Sequence, residues 1–330
     1  MGLQQFDKAS AVNPSLKTRL LAHLAICRID HWTKNVFILP GILIPLSFLH
    51  IPITSELTWN IVIGTLAACL IASSNYVINE MLDAPFDRLH PTKCTRPAAL
   101  GLINTPLGYV QWLGLMAVGL AMAATVSKPL VWTLAVLWLM GCLYNIPPIR
   151  TKDLPYLDVL SESVNNPLRM LAGWYMVTTT SIPPASLLTS YWMVGCYFMA
   201  LKRFSEFREI ADQGRASAYR KSFGYYTERS LLVSVTFYGA AAMLFFGAFL
   251  IRYRMALVLT FPLVALVMAI YFHLAFEPNS AVQNPEYLYK QKGLMAAVIV
   301  CALAMGALMF YDVPGVSRVF SATLPIEPLP

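Results

Sequence analysis

The sequence predicts an all-α protein that crosses a membrane several times. Hydrophobic residues make up 57% of the 330 and charged residues only 12%, and the mean hydropathy is +0.59. This composition is far from that of a soluble globular chain. Apolar stretches of about 20 residues, long enough to span a bilayer as a helix, recur along the chain. We expect nine transmembrane helices near residues 36–53, 59–80, 107–126, 129–147, 157–178, 186–201, 230–251, 256–275 and 293–311.

The distribution of positive charge predicts the orientation of these helices. Of the 24 lysine and arginine residues, 19 lie at the N-terminus or in alternate connections, as the positive-inside rule requires of cytoplasmic segments. We expect a cytoplasmic N-terminal segment with an interfacial helix, one membrane domain and a C-terminal tail, in a bacterial-type inner membrane. These parts are 1–35, 36–311 and 312–330, with cytoplasmic loops at 81–106, 148–156, 202–229 and 276–292.

The net charge of +7 fits this topology and an attraction to membrane lipid and to phosphate groups. No module that combines aromatic and basic side chains for nucleic-acid binding is visible, so nucleic acid is not expected as a partner. The six cysteines are scattered, mostly in apolar stretches and without paired spacing. Neither disulfides nor a zinc site is therefore expected.

A first acidic stripe ends the second apolar stretch, in SSNYVINEMLDAPFDRLHPTK. Asn79, Asp83 and Asp87 are four residues apart and share one helix face, with Glu80 beside them. Carboxylates crowded beside a low-dielectric region destabilise the fold unless a cation lies between them. Mg²⁺ commonly binds through one or two carboxylates and adds water and substrate phosphate. The stripe therefore predicts a magnesium site for a diphosphate-bearing substrate, although Pro85 is expected to interrupt the helix before Asp87.

A second acidic stripe lies in the fifth apolar stretch, PIRTKDLPYLDVLSESVNNPLRMLAGW. Asp158, Glu162, Asn165 and Arg169 are spaced four, three and four apart there. We expect one membrane-spanning helix that begins near Leu154 and carries all four on one face. Asp158 and Glu162 are further candidate metal ligands, and a salt bridge to a neighbouring base is the alternative. The two stripes would face each other across a cavity for one metal-bound, phosphate-rich ligand.

Basic side chains in the predicted loops can bind the phosphates of such a ligand, since arginine grips phosphate bidentately and lysine acts as a mobile point charge. Topology alone also explains basic residues in cytoplasmic loops, and this alternative applies to each of them. The candidate phosphate-binding residues are Lys34, Arg88, Lys93, Arg96, Lys152, Arg169, Lys202, Arg203, Arg220 and Lys221. Further side chains expected to line the cavity are Trp32, Asn35, Tyr144, Asn165, Asn166 and Glu206.

Several short segments make the chain resemble the UbiA superfamily of intramembrane prenyltransferases. They are WTKN at 32–35, NEMLDAPFD at 79–87 with the following RLHPTKCTRP, LRMLAG at 168–173, KRFSE at 202–206 and RKSFGYYT at 220–227. Within the superfamily, the chain looks most like the decaprenyl-phosphate phosphoribosyltransferases, chiefly through HPTK and the later RP. The resemblance implies a nine-helix bundle with two acidic motifs around a central cavity that opens to cytosol and lipid.

The resemblance also implies an activity. Members of that group transfer the 5-phosphoribosyl group of 5-phosphoribosyl diphosphate (PRPP) to a polyprenyl phosphate and release diphosphate. The product would be a lipid-linked pentose donor for envelope polysaccharide or a nodulation-type glycoconjugate. By the same resemblance, Mg²⁺ is the cofactor, held with the diphosphate by Asn79, Asp83 and Asp87, while Lys93 and Arg96 bind phosphate. The expected catalytic residues are Asn79, Asp83, Asp87 and Lys93.

Two other functions stay open at this point. A conventional prenyltransferase would bind a prenyl diphosphate at the acidic residues and alkylate an aromatic or other acceptor. The paired acids Asp158 and Glu162 favour this alternative somewhat, because paired acids are general among prenyltransferases. A non-catalytic transporter would use the same carboxylates as an ion pathway.

Overall fold

The computed structural model describes residues 14–88, 93–210, 220–283, 285–311 and 313–320, and all regular secondary structure in these ranges is helical. The all-α prediction is confirmed for this part of the chain. Some predicted features lie outside the described residues, namely His90 in the HPTK segment, the middle of the 202–229 loop, and most of the tail and the first residues of segment 1–35.

The first of two compact units comprises residues 1–183 and 210–227. Its helices are α1 (Leu16–Ala25), α2 (Leu39–Phe48), α3 (Ser55–Asp87), α4 (Thr105–Ala124), α5 (Lys128–Asn145), α6 (Leu157–Ser163) and α7 (Asn165–Val177), with 3₁₀ helices at Ile29–Ile38, Lys93–Thr95, Thr151–Asp153 and Lys221–Gly224. Side-chain oxygens accept bonds from the first-turn amides of four of these helices. The capping residues are Ser15 for α1, Thr54 for α3, Asn104 for α4 and Ser127 for α5.

The second unit comprises residues 184–209 and 228–330. Its helices are α8 (Ala185–Ile210), α9 (Glu228–Tyr253), α10 (Phe261–Leu274), α11 (Lys292–Phe310) and α12 (Pro314–Val319), with 3₁₀ helices at Met255–Thr260, Ala281–Gln283 and Pro285–Lys290. Polar side chains join its long helices through backbone carbonyls. Ser190 Oγ donates to the Ala242 carbonyl at 3.0 Å, and Tyr197 Oη donates to the Met268 carbonyl at 2.9 Å. The membrane domain predicted over 36–311 includes parts of both units.

Within the described residues, five helical segments are long and apolar enough to cross a membrane. These are Ser55–Asp87, Thr105–Ala124, Glu228–Tyr253, Met255–Leu274 and Lys292–Phe310. Each of the nine predicted stretches contains a helix, but nine transmembrane helices are not confirmed. One reason is length, since α2 has only 10 residues where the predicted stretch, 36–53, has 18.

The core of the first unit contains small residues where helix backbones come close together. Ala67, Ala68 and Ala172 are fully buried there, and the larger side chains around them are Ile38, Ile42, Ile71, Leu130, Leu134, Leu137 and Met176. Between α2 and α7 the approach is closest at two glycines. A Cβ atom on Gly41 would lie 1.8 Å from the Met170 carbonyl oxygen, and one on Gly173 would lie 2.3 Å from the Ile38 carbonyl oxygen. The two helices can pack this way only with glycine at these positions.

Gly41→Ala is therefore expected to lower the free energy of unfolding by about 1–3 kcal/mol, because the added methyl group forces the two backbones apart. Thermal unfolding of the purified protein in detergent measures the change. Gly114→Ala in α4 is the matched control, since a Cβ there meets nothing within 4 Å. Equal midpoints for the two variants would contradict the close packing of α2 and α7.

The helix of the second acidic stripe begins later than predicted. Instead of starting near Leu154, α6 starts at Leu157. The preceding Tyr156 has a positive φ of 63°, a conformation that is unfavourable for a bulky residue and outside the right-handed helical region. The Tyr156 N–H donates to Tyr226 Oη at 2.5 Å, which helps to hold this bend in place.

The helix predicted over 157–178 is divided in the structure, because it is interrupted at Val164. Pro167, three residues later, has no N–H to donate to the Ser163 carbonyl, so one bond of the helical ladder is missing. The four residues of the stripe are separated accordingly, with Asp158 and Glu162 on α6 and Asn165 and Arg169 on α7.

Helix α3 differs from the prediction in the opposite direction. It continues through Pro85 and ends at Asp87, so the loop predicted from residue 81 begins at Arg88. The expected interruption before Asp87 does not occur. Asn79, Asp83 and Asp87 therefore lie on one continuous helix, on successive turns of the same face.

Candidate active site

Two cations contact a single carboxylate at the C-terminal end of α3. Asp83 Oδ1 accepts from Arg150 Nη2 at 2.9 Å and from Lys152 Nζ at 2.5 Å. Its other oxygen accepts from Asn79 Nδ2 at 3.2 Å. The Asp83 side chain remains 21% exposed. Two cations therefore share one carboxylate oxygen, and part of the Asp83 side chain is accessible.

Asn145, the last residue of α5, joins two of these groups. Its side chain is buried, and its Oδ1 accepts from Asn79 Nδ2 at 2.5 Å and from Lys152 Nζ at 2.9 Å. Its own Nδ2 donates to the Gly141 carbonyl at 2.9 Å, which fixes the orientation of the amide. Asn145 thus holds Asn79 and Lys152 in place beside Asp83.

Arg150 and Lys152 reach Asp83 from the short segment between α5 and α6. Arg150 has a left-handed backbone with φ of 31°; its Nε also donates to Asp153 Oδ2 at 3.1 Å, and its guanidinium carbon lies 5.2 Å from the Phe86 ring centre. Lys152 is buried. Burial lowers the pKa of Lys152 to about 8, and nearby Arg150 acts in the same direction while Asp83 opposes it.

Glu80, another of the predicted metal ligands, forms an ion pair of its own away from Asp83. The residue is 2% exposed, and its Oε2 accepts from Arg28 Nε at 3.2 Å and Nη2 at 3.0 Å. Its Oε1 accepts from the Ala98 N–H at 3.4 Å. Glu80 therefore ties α3 to the N-terminal segment and to the chain that follows α3.

Two arginines that the sequence predicted to bind phosphate instead contact protein groups near Asp87. Arg96 Nη1 donates to Asp87 Oδ2 at 2.7 Å, and the Arg96 side chain is 24% exposed. Arg88 Nε donates to the Ala99 carbonyl at 3.0 Å. Lys93 begins the 3₁₀ helix Lys93–Thr95 in the same connection. Asp87 thus fastens the segment after α3 to the end of that helix.

The second acidic stripe forms a separate cluster around Asp158, which is fully buried. Its Oδ1 accepts from Tyr226 Oη at 2.6 Å and its Oδ2 from Ser222 Oγ at 3.2 Å. Arg220 Nη1 lies 3.8 Å from the same Oδ2. Lys221 is 71% exposed, and its Nζ lies 3.8 Å from Asp153.

The other members of the second stripe lie apart from this cluster. Arg169 Nε donates to Asn35 Oδ1 at 3.1 Å, and Asn35 Nδ2 donates to Cys69 Sγ at 3.1 Å. Asn165 Oδ1 is buried without a hydrogen-bond partner. Glu162 and Asn166 are half-buried. The structure therefore does not combine Asp158, Glu162, Asn165 and Arg169 into one polar face.

The remaining predicted residues fall in two places. In the first unit, Trp32 Nε1 donates to Ser73 Oγ at 2.9 Å, Lys34 is half-buried, and the Tyr144 ring centre lies 5.9 Å from Lys152 Nζ. Three more belong to α8 in the second unit, where Arg203 Nη1 donates to Glu206 Oε2 at 2.9 Å. These three are Lys202, Arg203 and Glu206.

Among the described residues, no three His, Cys, Asp or Glu side chains lie close enough together to hold a metal ion. The predicted metal ligands are thus not gathered into one protein cage; they are Asn79, Glu80, Asp83, Asp87, Asp158 and Glu162. Magnesium at phosphate sites needs only one or two carboxylates, because substrate phosphates and water supply its other ligands. The partly exposed carboxylate side chain of Asp83 fits an ion of that kind.

Two residues of these clusters were not singled out from the sequence. Asn145 is an amide at the end of an apolar stretch, directly before IPPIR, which could have marked it as polar at the membrane boundary. Tyr226 lies within RKSFGYYT, but nothing in that segment distinguishes it from Tyr225. The pairing of Arg28 with Glu80 has no signal in the sequence, since 52 residues separate them.

Comparison with known proteins identifies the family of this chain. The model of the UbiA prenyltransferase family matches residues 38–292. Nodulation protein NoeC of Azorhizobium caulinodans is 27% identical over 237 residues, which cover 71% of this chain and 73% of that protein. Decaprenyl-phosphate phosphoribosyltransferase of Mycobacterium tuberculosis is 28% identical over 221 residues, which cover 66% of this chain and 69% of that protein.

Solved structures show the same fold. A UbiA homologue from Archaeoglobus fulgidus, bound to GPP and Mg²⁺, is similar with a TM-score of 0.65 and 20% identity, over 88% of this chain and 99% of that chain. The family match covers most of the chain and confirms the resemblance recognised from the sequence. With its apolar helices, the chain belongs to the UbiA prenyltransferase family of multi-pass membrane proteins, and its relatives include decaprenyl-phosphate phosphoribosyltransferases.

Proposed function

We propose that the chain transfers the 5-phosphoribosyl group of PRPP to a polyprenyl phosphate, with magnesium, and releases diphosphate. The observation that carries this proposal is the pair of cations at Asp83, where Arg150 and Lys152 contact one carboxylate oxygen. PRPP carries both a diphosphate and a 5-phosphate, and the acceptor brings another phosphate. Such a ligand suits a site that is rich in cations.

The relatives support PRPP as the donor. Two thirds of this chain align with an enzyme whose name is decaprenyl-phosphate phosphoribosyltransferase. PRPP is made in the cytosol, and the positive-inside distribution of lysine and arginine favours a cytoplasmic position for the end of α3. We therefore propose that the site faces the cytoplasm and that the lipid-linked product serves envelope polysaccharide or a related glycoconjugate.

In the proposed reaction, an oxygen of the polyprenyl phosphate bonds to C1 of the ribose while the bond from C1 to the diphosphate breaks. The diphosphate leaves with the bonding electrons. A polyprenyl phosphate is already ionised near neutral pH, so no side chain has to remove a proton from it. The protein's contribution is then mainly to position the two substrates and to stabilise the departing charge.

Individual side chains have distinct tasks in this proposal. Asp83 and Asp87, with Asn79, would hold the magnesium ion, which when bound neutralises charge on the leaving diphosphate. Arg150 and Lys152 would donate to phosphate oxygens and keep the diphosphate in place. We propose the same type of contact for Lys93, and for Arg96 after it turns away from Asp87.

Transfer in a defined membrane tests the proposal directly. The full chain in nanodiscs, given Mg²⁺, labelled PRPP and decaprenyl phosphate, is expected to form a labelled ribosyl lipid together with diphosphate. Polyprenyl phosphates of several lengths serve as acceptors in parallel, because the sequence does not specify lipid length. If none of them acquires the label, the proposal is wrong.

A conventional prenyltransferase is the second candidate. It is favoured by the fold neighbours, because homologues of this fold were solved with the prenyl diphosphates GPP and DMAPP. The same cations would then bind the prenyl diphosphate. Release of diphosphate from GPP in the presence of an aromatic acceptor, with PRPP inert, would establish this alternative.

Removal of the metal gives a further expected result. Treatment with EDTA should stop phosphoribosyl transfer, and added Mg²⁺ should restore it, because the ion stabilises the negative charge that develops on the leaving diphosphate. The circular dichroism spectrum should stay unchanged, since acids of the stripe are paired with bases in the protein itself. An unchanged transfer rate in EDTA would remove magnesium from the mechanism.

A further inference from the structure

The surroundings of Asp158 are those of an anchored side chain rather than of an open metal ligand. The residue is completely buried, and each of its oxygens accepts a hydrogen bond. A buried carboxylate depends on such partners to remain charged. An ion could coordinate Asp158 only if these bonds were broken.

Three side chains near the Asp158 carboxylate, Arg220, Ser222 and Tyr226, belong to one short segment, residues 220–226. This segment is also fixed at its far end. The Tyr226 ring packs edge-on against the Tyr156 ring, with centroids 5.3 Å apart at 87°, and Tyr226 Oη accepts the Tyr156 N–H. Phe223 is fully buried. Asp158 is thus the central polar anchor between this segment and α6.

The anchored segment carries Arg220 toward the cations at Asp83. Arg220 Nη1 lies 3.5 Å from Tyr144 Oη, and the Tyr144 ring centre lies 5.9 Å from Lys152 Nζ. Arg220 is therefore within electrostatic range of the group that would receive a substrate phosphate.

We propose that Asp158 is a positioning residue: it fastens segment 220–226 to α6 and so holds Arg220 beside Lys152, where Arg220 binds a phosphate of the donor. The two acidic stripes then have different tasks, one at the metal and one at a basic side chain. This replaces the sequence-based prediction that Asp158 is a metal ligand. It rests on the proposed function, because it assigns Arg220 to a diphosphate-bearing substrate.

Binding of magnesium diphosphate tests this proposal independently of turnover and of the donor sugar. Isothermal titration of the full chain in nanodiscs compares Asp158→Asn, Arg220→Gln and the double variant. Each single change is expected to weaken binding about tenfold, the size of one charge-assisted contact. The double variant should bind no more weakly than Arg220→Gln alone, because Asp158 acts through Arg220.

Tyr226→Phe keeps the test valid if Asp158→Asn does not fold. It removes the shorter hydrogen bond to Asp158 and leaves the ring, so we expect about threefold weaker diphosphate binding that disappears in the Arg220→Gln background. Glu56→Gln, at the exposed start of α3, is the control and should bind normally.

Metal binding distinguishes a positioning role of Asp158 from a role as a metal ligand. Electron paramagnetic resonance of Mn²⁺ with diphosphate should show bound ion in Asp158→Asn but not in Asp83→Asn. Loss of bound Mn²⁺ in both variants, or additive losses of diphosphate affinity in the double variant, would overturn the proposal. Failure of PRPP transfer alone would count against the proposed function and leave this result standing.

Discussion

Asp83→Asn is expected to reduce phosphoribosyl transfer roughly a thousandfold, as the loss of a central electrostatic group does in other enzymes. An amide cannot balance the charges of Arg150 and Lys152, which share Asp83 Oδ1. It is also a poorer ligand for magnesium than a carboxylate. The initial rate of ribosyl-lipid formation from labelled PRPP in nanodiscs measures the effect.

Stability must be followed in the same experiment, because the substitution leaves two poorly hydrated cations without their partner. We expect the free energy of unfolding to fall by about 2 kcal/mol, less than for a fully buried pair since Asp83 is partly exposed. Glu56→Gln removes the same charge from the exposed N-terminal end of α3 and should change the rate less than about twofold. Full activity in Asp83→Asn would refute the site.

Glu80→Gln is expected to destabilise the protein by about 3 kcal/mol, the usual cost of breaking a buried ion pair. Glu80 is almost fully buried, and both donors of its Arg28 contact are charged guanidinium nitrogens. Glutamine retains the shape but leaves the charge of Arg28 without a counterion. Chemical denaturation in detergent, monitored by tryptophan fluorescence, gives the difference in free energy.

A double variant isolates this pair from other effects. Glu80→Gln combined with Arg28→Gln should be less destabilised than the sum of the single variants, because the two side chains are in contact. Asp30→Asn is the surface control: its pair with His31 is partly exposed and is expected to contribute less than about 1 kcal/mol. If Glu80→Gln stays stable yet needs a much higher magnesium concentration for transfer, Glu80 is a metal ligand after all.

The helical class of the fold could be predicted because apolar stretches of membrane length dominate the composition. Helix ends could not be predicted as well, since they depend on the backbone conformation of single residues. Pro85 lies inside α3 without ending it, whereas Pro167 interrupts the helix at Val164. Tyr156 has a positive φ beside the hydroxyl of Tyr226, 70 residues away, and a local sequence pattern cannot contain that contact.

The acidic stripe of the site could be predicted from a spacing of four residues, because that spacing is a property of one helix. The partners of each acid could not. Glu80 and Asp83 lie on adjacent turns of α3. Glu80 nevertheless pairs with Arg28, whereas Asp83 pairs with Arg150 and Lys152. Those cations come from segments on either side of α3 in the chain, and only the packed structure determines which acid each one reaches.

The length of α3 bears on how water-soluble reactants reach the acids. Its 33 residues correspond to about 50 Å at 1.5 Å per residue, whereas the hydrocarbon layer is about 30 Å thick. The helix is therefore longer than the hydrocarbon layer is thick, by about a dozen residues in total when it is not tilted. For the proposed reaction, this length would let the sugar diphosphate reach the acidic residues from the aqueous phase, while the lipid acceptor moves only its phosphate headgroup out of the hydrocarbon layer.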